Sequence, residues 1–166
     1  MSRKEHFLQA AGLDLKGSLL FHGTSPESAE SIMREGFRLD AGERHGRSGG
    51  QGVYLHHDPE EAAKYGEAMV VARKKGTLAN FYDMAWDRMH VNKGLTEDEH
   101  AAQYLSKYGN VGYKDPDDNA TIIYDTSALK PVAISRSGQC PVCSGNGFHP
   151  RTAERCPTCT GRGVLW

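Results

Sequence analysis

Four cysteines lie in the last 27 residues of a 166-residue chain, and the preceding 139 residues hold none. They fall into two copies of one pattern. The first is Cys140-Pro141-Val142-Cys143-Ser144-Gly145-Asn146-Gly147, and the second is Cys156-Pro157-Thr158-Cys159-Thr160-Gly161-Arg162-Gly163. Two residues between thiolates let one tight turn aim both sulfurs at one ion. The glycines that follow permit the left-handed backbone that turns N–H groups toward sulfur. Two such turns supply the four thiolates of a closed tetrahedral zinc site. The twelve residues between them, Ser144 to Arg155, are about the length of a short hairpin. An iron–sulfur or redox site is the competing reading. His149 reads as a solvated hairpin residue rather than a ligand. Clustering at one end, with no continuous apolar leader after Met1, points to a metal site in a reducing compartment and a cytoplasmic protein, not to a disulfide framework.

A second set of residues with chemical potential lies upstream. His22-Gly23-Thr24 closes an apolar run, Leu19-Leu20-Phe21. A histidine at a strand end is held rigidly beside a cleft, where it could donate to a ligand hydroxyl. Gly23 would let a ligand approach the backbone closely. Tyr54 and Tyr65, eleven residues apart, could stack on a flat ring. Taken singly, Tyr54 is also an ordinary alternating strand residue and Tyr65 an ordinary helix anchor.

Local signals place these residues on alternating strands and helices. Leu19–His22 is a strand. Ser25 caps a helix whose first position is Pro26, Ala29, Ile32 and Met33 share its face, and Gly36 stops it. Residues 39–50 are a Gly-rich, charged loop, expected to be mobile. Gly52–Leu55 is a strand. Asp58 and Pro59 start a helix running to about Tyr65, with Glu61 closing a capping box. Met69–Ala72 and Leu78–Tyr82 read as strands. Thr96 opens a helix that ends near Lys107, before Gly109. Thr121–Tyr124 and Pro131–Ile134 are the last strands of the body. Few strand–helix–strand spacings suit a doubly wound sheet, so the class is α+β.

Charge divides the chain at the same place as the cysteines. Residues 136–166 carry Arg136, Arg151, Arg155 and Arg162 against Glu154, a formal +3, which leaves −4 of the total −1 on residues 1–135. The boundary is expected near Ser135-Arg136-Ser137-Gly138, as a short linker. The near-neutral total argues against histone-like binding of nucleic acid by the whole molecule. A mean hydropathy of −0.60 with 25% charged residues permits a modest core. The longest apolar run is Ala68–Ala72, far too short to span a membrane.

The order of these motifs resembles the ADP-ribosyltransferases of the diphtheria-toxin and poly(ADP-ribose) polymerase type. The pattern is a strand ending in His22-Gly23-Thr24, a helix ending in Gly36-Phe37-Arg38, a loop, the strand Gly50-Gln51-Gly52-Val53-Tyr54, and a helix bearing Tyr65. The closing stretch Asp125–Val132 fits as well, so the resemblance spans about residues 18–134. It implies an ADP-ribosyltransferase-like mixed split sheet with flanking helices over residues 1–135, and NAD as donor substrate. It implies that His22 bonds the adenosine-side ribose and that Gly23 pairs with the nicotinamide carboxamide. Thr24 sits near the ribose, Arg38 reaches the adenosine end, and Tyr54 and Tyr65 flank the nicotinamide. The loop 39–50 is then a lid. An electron-poor pyridinium stacks well between phenol rings, and cleavage of its glycosidic bond needs an oriented donor and stabilisation of an oxocarbenium-like ribose. The tail, residues 136–166, resembles half of the zinc domain of DnaJ chaperones over about 24 residues, with no J-domain signature.

Two positions depart from the pattern. The third catalytic residue of the family, a Glu before the closing Tyr-Asp, aligns with Ala120, which cannot bind a ribose hydroxyl or activate an acceptor. Three explanations stand side by side: a divergent third residue, substitution by Asn119 or Asp118 after a register change, or replacement of an acid to silence the enzyme. Ala62 stands where many polymerases have a Ser, which argues against chain elongation. The expected function is therefore NAD-dependent mono-ADP-ribosyl transfer to a macromolecule, protein or nucleic acid, docked by the basic tail, with no membrane partner. The alternative is a non-catalytic NAD or ADP-ribose module whose tail docks a partner. An RNA 2′-phosphotransferase would need an ordered Arg and His set that is absent, and His56 and His57 read as loop residues.

Overall fold

The computed structural model describes residues 18–39, 51–136 and 154–155. Among the described residues, seven strands form two sheets. The first has three antiparallel strands in the order β1 (Ser18–Thr24), β3 (Ala68–Lys74), β7 (Leu129–Arg136). The second has four, in the order β2 (Val53–Leu55), β6 (Thr121–Ile123), β5 (Asn110–Lys114), β4 (Thr77–Ala79). All pairs are antiparallel except β4 with β5, which are parallel. A parallel pair needs a long crossover, and two helices, α3 (Phe81–His90) and α4 (Glu97–Tyr108), supply it. The sheets meet where Phe21 of β1 and His56, just past β2, exchange both backbone bonds at 2.8 Å. This is a mixed helix-and-sheet architecture with a split sheet, as α+β reasoning anticipates.

One apolar cluster lies between the sheets, with Leu20, Val53, Leu55, Val70 and Ile123 at its centre and Ala29 of α1 (Pro26–Glu35) against it. A second fills the other face of the four-stranded sheet, where Tyr113, Ala120 and Ile122 meet Met84 of α3 and Ala101 and Leu105 of α4. β3 is buried along Ala68–Ala72, because it is central in its sheet.

Local start signals act as the sequence dictates. Ser25 accepts from Ser28 N–H with Pro26 in the first turn, and Gly36 ends α1 at φ 86°. Thr96 and Glu99 form a reciprocal capping box at α4. Asp58 caps α2 (Pro59–Ala62), which tightens into a 3₁₀ turn, Ala63–Tyr65.

Four expectations are corrected. Leu78–Tyr82 is not a strand: β4 stops at Ala79, and Asn80 accepts from the N–H groups of Tyr82 and Asp83, turning the aromatic pair into the first turn of α3. Phe81 and Met84 then share a face against the second core. β5 was unanticipated, because Gly112 interrupts its apolar pattern. Glu61 does not close a capping box on Asp58; Asp58 accepts from Glu60 N–H, and the Glu61 carboxylate takes Lys64 Nζ at 2.6 Å. Ser135 and Arg136, expected in the linker, belong to β7: Ser135 is buried opposite Met69 and Arg136 pairs with Ala68. The loop 40–50 and the four cysteines lie outside the described residues, as does the boundary beyond Arg136. Among the described residues, no helix is long and apolar enough to cross a membrane, and no cluster of His, Cys, Asp or Glu is set to hold a metal.

Candidate active site

The seam where the sheets meet brings together the end of β1, the end of β2 and the helical turn carrying Tyr65. His22, on β1 opposite Val70, is half-buried. Its Nδ1 lies 2.7 Å from the carbonyl oxygen of Tyr54. A carbonyl only accepts, so Nδ1 carries the proton and donates. In the neutral ring Nε2 is then an acceptor. A neutral ring in this tautomer has no proton on Nε2, which departs from the expectation of a donor there. The ring also meets the edge of buried Phe37 at 5.6 Å between centroids. The Gly36-Phe37-Arg38 segment thus helps to hold the imidazole, while Arg38 is exposed near Glu35.

Gly23 is a site of close packing. A Cβ there would lie 1.8 Å from the carbonyl oxygen of Ala62 and 3.1 Å from the Cβ of Tyr65. Gly66 presses on Thr24 in the same way, with a would-be Cβ 2.2 Å from the Thr24 oxygen. These two contacts set the helix that bears Tyr65 directly on the His22-Gly23-Thr24 segment. Thr24 is half-buried beside it.

Tyr54 is half-buried and packs on the second core. Tyr65 is 58% exposed. The ring parallel to Tyr65 is His56, with centroids 5.2 Å apart and 13° between planes. His56 is not a loop residue: it pairs with Phe21 and is buried. The two-residue alternation from Tyr54 to His56 was the signal for it in the sequence. Burial holds the His56 imidazole below its ordinary pKa, against Asp118, Glu61 and Asp58, which favour the charged form.

Ala120 is fully buried just before β6. The register Tyr54↔Ile122 and Leu55↔Thr121 leaves Asn119 outside the strand, exposed, at φ 59°. Asp118 accepts from Ala120 N–H at 2.9 Å. Neither is shifted into the position of Ala120.

Sequence reasoning also missed Asp98. Its Oδ1 accepts from Gln51 N–H at 2.9 Å and from the Tyr124 hydroxyl at 3.0 Å. Burial pushes the Tyr124 phenol far above its ordinary range, so it stays a donor. The Gln51 bond ties the approach to β2 to α4, and the Tyr124 bond ties the end of β6 to the same carboxylate. In the sequence Asp98 is indistinguishable from its acidic neighbours in a helix's first turn.

A split sheet with a histidine at one strand end, a tyrosine on the facing strand and a second tyrosine on the next helix is the arrangement expected from the resemblance to NAD-dependent ADP-ribosyltransferases. The model of the poly(ADP-ribose) polymerase catalytic domain family matches residues 2–108, and the chain belongs to that family. No curated protein sequence matches the chain. The matched stretch ends before β5, so Ala120 lies beyond it.

Proposed function

We propose that the chain transfers one ADP-ribose from NAD to a macromolecular acceptor. The acceptor nucleophile bonds to the anomeric carbon of the nicotinamide-side ribose. The bond from that carbon to the pyridinium nitrogen breaks, nicotinamide leaves neutral, and the acceptor's proton passes to solvent. In this reading His22 accepts from a hydroxyl of the adenosine-side ribose, and the backbone of Gly23 pairs with the carboxamide. Tyr54 and Tyr65 border the nicotinamide, with Thr24 and Arg38 toward the rest of the donor. The bond from His22 to the Tyr54 carbonyl carries the proposal, because it fixes the imidazole in the one tautomer that receives a sugar hydroxyl.

Buried Ala120 favours single transfer over chain elongation. Elongation needs a sugar hydroxyl activated as nucleophile, and Ala120 has no group to take its proton. The same residue favours a second reading, a module that binds NAD or ADP-ribose without turnover. Incubation of the chain, and of Ala120→Glu, with labelled NAD and separated protein and nucleic-acid fractions distinguishes them. We expect nicotinamide release and single adducts. A ladder of adducts would exclude single transfer. Binding with no release, from either form, would leave the non-catalytic module.

We further propose that Cys140, Cys143, Cys156 and Cys159 hold one structural Zn²⁺, and that the basic module of residues 136–166 docks the acceptor. Support comes from the duplicated spacing and from the charge. Such thiolates persist in a reducing compartment, in keeping with a cytoplasmic location. Metal analysis should find about one zinc per chain, the capacity of four thiolates, and Cys143→Ser should lose it. Full zinc retention by that variant would remove Cys143 from the ligand set.

A further inference from the structure

One side chain at the seam has chemistry that the donor-binding roles above do not use. His56 is 4% exposed, and its Nδ1 is buried with no hydrogen-bond partner. Buried polar atoms are almost always paired, and an orphan of this kind calls for a ligand or a water. The site is ordered around it. The backbone of His56 is locked to Phe21 by two bonds, and its ring is stacked on Tyr65.

Its place in the sheet gives the orphan nitrogen a role. The β2–β6 register pairs Val53 with Ile123, Tyr54 with Ile122 and Leu55 with Thr121. Leu55↔Thr121 is the last pair, and His56 and Ala120 are the next residue beyond it on either side. Cross-strand partners in an antiparallel pair project to the same face, as do residues two apart on one strand. Tyr54, His56 and Ala120 therefore belong to one face at the end of the sheet. A long acidic side chain at position 120 and an imidazole at position 56 would compete for the same space. Here the long polar side chain lies just past β2 and the methyl group just before β6.

We propose that His56 reaches from the neighbouring strand to give the donor ribose the hydrogen bond that position 120 lacks. This rests on the NAD site proposed above. A sugar hydroxyl both donates and accepts, so it satisfies Nδ1 in either tautomer. Burial keeps the ring neutral near pH 7. Lys64 acts in the same direction, while Asp118, Glu61 and Asp58 oppose it. A neutral ring has one nitrogen that donates and one that accepts, which suits a hydroxyl partner.

The test compares His56→Phe and His56→Gln with the wild-type chain, using calorimetric affinity for NAD and for free nicotinamide. Phenylalanine keeps the stack on Tyr65 and the backbone bridge but has no nitrogen. It should weaken NAD binding about tenfold, the effect of one buried hydrogen bond. Free nicotinamide has no ribose, and its affinity should stay within about twofold of wild type on the same ground. Glutamine keeps a donor and an acceptor, and should bind NAD within about threefold of wild type. The proposal is overturned if His56→Phe binds NAD as well as wild type, or if the two variants lose equally. It is also overturned if His56→Phe gains affinity for nicotinamide, which would make the ring a steric plug. A wild-type chain that fails to bind NAD would instead remove the underlying site.

Discussion

Replacing His22 with alanine should lower nicotinamide release by about two orders of magnitude, the usual cost of deleting one aligned polar group at a reacting centre. The argument starts from the 2.7 Å contact with the Tyr54 carbonyl. That bond fixes the tautomer, and the edge of Phe37 fixes the plane. The ring is therefore held in one orientation. The benefit is orientational: the donor must be held so that the anomeric carbon faces the acceptor. His22→Ala loses both the lone pair and the link from β1 to the Tyr54 carbonyl. Because the side chain is only half-buried, stability should change much less than turnover. Thermal unfolding run beside the release assay separates the two. Turnover within about threefold of wild type, far short of the loss of one aligned group, would mean that His22 holds the strands together and does not touch the donor.

Gly23→Ala is expected to damage both fold and site. The added methyl carbon would stand 1.8 Å from the Ala62 carbonyl oxygen. That obstacle is backbone, so no rotamer change relieves it. Either β1 or the helix bearing Tyr65 must move by more than an ångström. Overpacking of this kind costs about 1–3 kcal/mol, and a clash with backbone belongs at the upper end. Gly94→Ala is the matched control, since a Cβ there meets nothing within 4 Å. Urea unfolding should separate the pair by about 3 kcal/mol, the upper end of that overpacking range. A Gly23→Ala chain as stable as Gly94→Ala would show that the strand end and the helix are less closely seated. Any folded Gly23→Ala protein should also lose NAD affinity, because Tyr65 is carried by the displaced helix.

The parts of the fold that were legible in the sequence are those decided within a few residues. Ser25 with Pro26, Asp58 with Pro59, and Thr96 with Glu99 each fix a helix start through one or two local bonds. The motifs His22-Gly23-Thr24 and Tyr54 follow directly from strands with strong apolar runs. Legibility fails where the deciding partner is far away in sequence. Phe81 and Tyr82 have strand-like side chains, but Asn80 turns them into a helix that the second core then covers. Gly112 weakens β5 as a pattern, yet a Cβ there would lie 2.1 Å from the Ile122 oxygen, so the strand requires glycine. His56 reads as a loop residue because its position is set by its backbone bonds to Phe21, which is far from it in the chain. The cysteine motifs are as clear in the sequence as any feature, and they lie outside the described residues.

The two bonds between Phe21 and His56 put the seam between the sheets on a clock. An amide inside β3, with a strand on either side, exchanges with solvent only when much of the domain opens. The amides of Phe21 and His56 answer to a smaller event, the parting of β1 from β2. That event is also what would loosen the hold on a donor lying across the seam. If the donor lies across the seam as proposed, its residence and the exchange of these two amides depend on the same opening free energy, and a change that protects one should protect the other.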